Sequence, residues 1–92
     1  MEISFDPTKR ESTLRERGLD FMDAPEVLLG LRIEQEDDRF DYGERRMMTV
    51  GFLRSRMVVI IWTQRGAVRH IISMRKANSR EQTKYAIRLG RS

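Results

Sequence analysis

Polar and apolar residues alternate, or apolar ones run together, in three stretches of the second half of this chain: 46–53, 57–64 and 67–74. A period of two puts successive side chains on opposite faces, so each stretch predicts a strand. The middle one holds the longest apolar run, 57–62, which predicts a buried strand that is apolar on both faces at its centre. Short connections at 54–56 and 65–66 join the three into an antiparallel meander.

The first half is more varied. Residues 2–5 predict a short strand, ended by Asp6 as a helix N-cap and Pro7 at the first helical position. That helix should stop at Gly18, and its thin apolar content makes it a surface helix. A second helix follows over about 21–29, starting nearer Asp23 because Pro25 is tolerated only in a first turn. Residues 31–35 read as a strand and 36–43 as an acidic turn-rich loop. Ser79 is the expected cap of a last helix reaching Leu89, with Glu81 one position short of a full capping box.

The expected order is β-α-α-β-β-β-β-α, an α+β domain with helices on one face of an antiparallel sheet and the other face open. Strand parity from Ala67 through 75 then sends Arg69, Ser73 and Arg75 to one side and Val68, Ile72 and Met74 towards the core. His70 reads as an interior or edge histidine on the inward parity, with a catalytic role as its alternative. Trp62 and Met57 read as core, with base stacking the alternative for Trp62.

At 92 residues, 39% hydrophobic and 35% charged, the chain reads as one domain over 1–92. It has no Cys and a single His, which removes disulfides, thiolate sites and His-based metal clusters; no metal and no cofactor are expected. No signal peptide and no membrane-length apolar run are visible, so a cytoplasmic protein without membrane contact is the expectation.

Charge changes the picture. Residues 1–44 carry thirteen acids and six bases, residues 45–92 one acid and twelve bases, for a net of +4. A basic pole this strong attracts polyanions, and nucleic acid leads among them; solvated surface charge is the plainer alternative. The Arg side chains lie within predicted strands rather than a tail, where guanidinium groups can grip phosphates with two bonds each.

Four short motifs occur in order: Asp6-Pro7-Thr8-Lys9 after the first strand, Gly18 to Phe21, Thr63 to Gly66, and Ile71 to Ala77 before a Glu-containing helix ending near Tyr85. Together they resemble the BrnT toxins of prokaryotic type II toxin–antitoxin modules. The resemblance implies a RelE-like fold and a metal-independent endoribonuclease that inhibits translation. It also implies a BrnA-type antitoxin, a 2:2 heterotetramer with it, and operator DNA bound only through that partner. Phe5, Thr13 and Glu16-Arg17 stand where relatives usually carry Trp, Asn and Lys-His, so no acid–base role can fall to a His before Gly18 here.

Metal-free cleavage of RNA needs an activated 2′-hydroxyl, stabilised charge on the pentavalent phosphate and a proton for the leaving oxygen. Arg65 and Arg75 are the candidate phosphate clamps, an effect of about 2.7–4 kcal/mol where such donors have been removed. Lys9 is the candidate general base or second anchor. Arg69, Lys76 and Tyr85 form a second rank for RNA binding or leaving-group protonation. Each has a plain alternative: Lys9 as surface, Arg65 as a turn residue, Arg75 as the ion-pair partner of Glu81. The acidic stretch 34–44 reads as a solvated loop, or as a patch that repels RNA or meets a basic antitoxin segment. A non-catalytic nucleic-acid-binding module and a partner-docking subunit are the competing readings.

Overall fold

Five strands and three helices build the protein in its computed structural model, which describes residues 1–90; Arg91, the twelfth base of the basic half, and Ser92 lie outside the described residues. In chain order these are β1 (Ile3–Phe5), α1 (Pro7–Arg17), a 3-10 turn (Phe21–Asp23), α2 (Ala24–Leu28), β2 (Arg32–Glu36), β3 (Met47–Leu53), β4 (Arg56–Arg65), β5 (Val68–Lys76) and α3 (Ser79–Ala86). The strands lie in the order β1-β5-β4-β3-β2. The α+β class holds, but the sheet is mixed: β1 runs parallel to β5, whereas the other neighbours are antiparallel. The crossover from β1 to β5 spans most of the chain, and strand patterning alone gives no direction to such a distant pair.

Local chemistry sets the helix ends. The Asp6 carboxylate accepts from the Thr8 N–H, Pro7 opens α1, and Gly18 closes it in the left-handed region at φ 69°. Like the thinly apolar sequence, α1 has no buried residue. Arg10 pins it by donating Nε and Nη2 to the Asp20 carboxylate at 2.8 and 3.1 Å. The α3 cap differs from expectation. Asn78, not Ser79, is the N-cap, which places Glu81 at N3 and completes a capping box.

Helices cover both faces of the sheet rather than one. On the α2 face, Phe21, Ala24, Val27 and Leu28 pack with Val58, Ile60, Trp62, Ile71 and Met74. On the α3 face, Ala77, Tyr85 and Leu89 pack with Val50, Met57, Val59 and Ile61. This explains the apolar run at 57–62: β4 is central and sandwiched, so both its parities need apolar side chains. Helix α2 sits close enough to β3 that a Cβ on Gly51 would lie 3.0 Å from Val27 Cγ1.

A register shift on β5 overturns the parity sorting. Ile61 pairs with Ser73 but Trp62 pairs with Ile71, leaving Ile72 as an extra residue. Ile71 and Met74 therefore share the α2 face, and Arg69 and Arg75 end on opposite faces. The acidic loop also departs from a purely solvated one. The Asp37 side chain is 3% exposed and accepts from Arg39 Nε and Nη2 and from the Tyr42 hydroxyl.

Candidate nucleic-acid interface and active site

The β4–β5 turn positions the first candidate. Gly66 supplies the positive φ (61°), Gln64 Nε2 donates to its carbonyl, and Arg65 precedes it at the end of β4. Arg65 is 55% exposed and stands 3.6 Å from the Glu44 carboxylate. Lys9 lies exposed in the first turn of α1. Its charge and that of Arg65 both depress the pKa of His70, after the larger effect of burial, so the three groups share one neighbourhood. The ring is held there by Ser4, whose Oγ lies 2.8 Å from His70 Nδ1.

Arg75 points from β5 to α3. Its Nη1 and Nη2 donate to Glu81 Oε1 and Oε2 at 2.7 and 2.8 Å, while Oε1 also accepts the Asn78 N–H. Those bonds, the Arg75 pair first, hold the Glu81 pKa at about 2. Arg75 lines a cleft of about 300 Å³ in which Arg39, Arg80 and Lys84 stand beside the acids Glu36, Asp37, Asp38 and Glu81, with Tyr85. Tyr85 itself is 3% exposed, so it forms the cleft's floor more than a free donor.

Arg65 and Arg75 share the α3 face but not one spot. Val59, the partner of Arg75, is six positions from Arg65 along β4, about 20 Å of extended chain. Lys76 lines a different cleft, beside Arg54, Arg56 and Gln82. Arg69 stacks on Trp62 at 4.7 Å on the α2 face, with Nη1 buried and unpartnered. The structure thus groups Lys9 with Arg65, groups Arg75 with Tyr85, and sets Arg69 and Lys76 apart from both. Arg39, Arg80 and Ser4 escaped the sequence reading. Arg39 sits within an acidic run, and the partnership of Ser4 with His70 spans 66 residues.

Residues 5–81 match the family of ribonuclease toxins, BrnT, of type II toxin–antitoxin systems. The chain belongs to the BrnT family. No individual curated protein matches it. The matched stretch includes Lys9, Arg65, Arg69, Arg75 and Lys76 and ends before Tyr85. A type II toxin of this kind is a ribonuclease with an antitoxin partner. Position 17, where the sequence lacks a His, has a structural job here: Arg17 Nη1 donates to the Met74 carbonyl at 3.0 Å and ties the end of α1 to β5. Among the described residues no three His, Asp or Glu side chains are placed to hold a metal ion, and no helix is long and apolar enough to cross a membrane.

Proposed function

We propose that this BrnT-family chain is a metal-independent endoribonuclease that stops translation by cutting RNA, and that a BrnA-type antitoxin silences it in a 2:2 heterotetramer. The antitoxin alone brings the pair to operator DNA. The observation that carries the reading is the pair of arginines on the α3 face, Arg65 and Arg75, about 20 Å apart along β4. That span fits two phosphates about three nucleotides apart on an extended strand, not a single one. Arg65 with Lys9 then stabilises the reacting phosphate, and Arg75 grips the chain further along, near Arg39 and Arg80. Arg69 and Lys76 extend the contact around the sheet, and Tyr85 braces the cleft.

A second reading, grip without cleavage, draws on one observation: Glu81 already occupies both Nη atoms of Arg75. Expression in cells separates the two. The native chain is expected to arrest growth, Arg65→Ala to restore it, and co-expression of the antitoxin to relieve the arrest. Equal tolerance of the native chain and the variant would contradict the toxin reading.

A further inference from the structure

One polar group on the α3 face belongs to none of the clamps. Ser4 pairs with His70 across β1 and β5, and its Oγ lies 2.8 Å from Nδ1. Thr63 pairs with His70 across β4 and β5, and Arg65 is two residues further along β4 on the same side. Diagonal neighbours of that kind are about 7–8 Å apart. Lys9 lies in the first turn of α1, within electrostatic reach of the ring. Nε2 of the ring has no hydrogen-bond partner among the described residues and is not one of the atoms sealed from solvent without a partner.

We propose that His70 is the proton-transfer residue of this ribonuclease, with Nε2 facing the 2′-hydroxyl, Ser4 as its positioning residue, and Arg65 and Lys9 on the adjacent phosphate. The inference rests on the ribonuclease reading. The tautomer it requires has the proton on Nδ1, donated to Ser4 Oγ, so that the Nε2 lone pair points outward. Nε2 takes the 2′-hydroxyl proton as the 2′-oxygen bonds to phosphorus. The bond from phosphorus to the 5′-oxygen breaks, and that oxygen leaves with a proton from solvent water. The products are a 2′,3′-cyclic phosphate and a 5′-hydroxyl end, and the imidazolium returns its proton to solvent. The surroundings support a neutral ring at pH 7. Burial, Arg65 and Lys9 push its pKa below 6.5, while Glu44 and Asp6 push back. No His-containing motif signals this role, because Ser4 and Arg65 reach the ring only through sheet pairing.

The test is the pH dependence of RNA cleavage between pH 5 and 9 in excess EDTA, for the native chain, His70→Gln and Ser4→Ala, with melting curves to check folding. The native rate is expected to fall on the acid side, and the single imidazole makes its NMR titration an independent measure of where that fall must centre. His70→Gln is expected to lose about a hundredfold or more and to lose the acid limb. Ser4→Ala, which frees the ring from its one hydrogen bond, should lose part of the activity and keep an acid limb at a displaced pH. A folded His70→Gln that cuts at the native rate with the native profile would overturn the inference, as would a native limb that does not track the imidazole titration. The second comparison decides even if the glutamine variant does not fold. A native chain that cuts no RNA, free or on ribosomes, overturns the ribonuclease reading itself.

Discussion

Glu81 holds Arg75 through two bonds of 2.7 and 2.8 Å, and that pair decides what a single side chain can contribute. With Arg75 39% exposed, solvent screens the pair. Glu81→Gln is therefore expected to cost about 1–2 kcal/mol in urea unfolding at pH 7. The folded pKa of Glu81 lies at about 2, below the usual 4.5, so its stabilisation is complete above pH 4.5 and is lost as pH falls through about 2. Native and variant stabilities should converge at that acid end; a constant gap would place the stabilisation elsewhere. The variant should also bind RNA more tightly, since Arg75 is released to phosphate. The ion pair was legible in the sequence as the plain alternative for Arg75. The Ser4–His70 contact was not, because nothing local links a residue of β1 to one of β5.

At the scale of elements, caps and packing carry the testable content. Asn78→Ala removes the α3 cap and should cost about 1 kcal/mol in thermal or urea unfolding, whereas Ser79→Ala should cost little. The reverse ranking would contradict the assigned cap. Gly51→Ala sets a Cβ 3.0 Å from Val27 Cγ1 and is expected to destabilise the α2–β3 contact by about 1–3 kcal/mol. The meander, the α1 boundaries and the surface character of α1 were readable because their signals are local: period, Asp6, Pro7 and Gly18. The second covered face was also readable in principle, since the apolar run at 57–62 demands cover on both sides of β4. The register shift at Ile61 and Trp62 was not, and one extra residue on β5 was enough to separate Arg69 from Arg75.

Across the whole molecule, the lopsided charge governs solution behaviour and favours polyanionic partners. Glu81, Asp20 and Asp37 each have a lowered pKa, caused first by a side-chain bond from Arg75, Arg10 and Arg39 respectively. Groups of this sign stabilise the fold above their ordinary range and lose that effect on acidification. Acid unfolding should therefore develop below about pH 4, with His70 adding a smaller loss that begins below 6.5. Circular dichroism against pH checks this, and a midpoint above pH 6 would contradict it. RNA binding should weaken steeply with salt, because phosphate contacts release counterions. The most direct test of the central claim is cleavage of RNA by the purified chain in excess EDTA, beside an Arg65→Ala/Arg75→Ala double variant. The account predicts cutting by the native chain and loss of roughly two to three decades in the variant. Equal cutting by both, or cutting that EDTA abolishes, would contradict it.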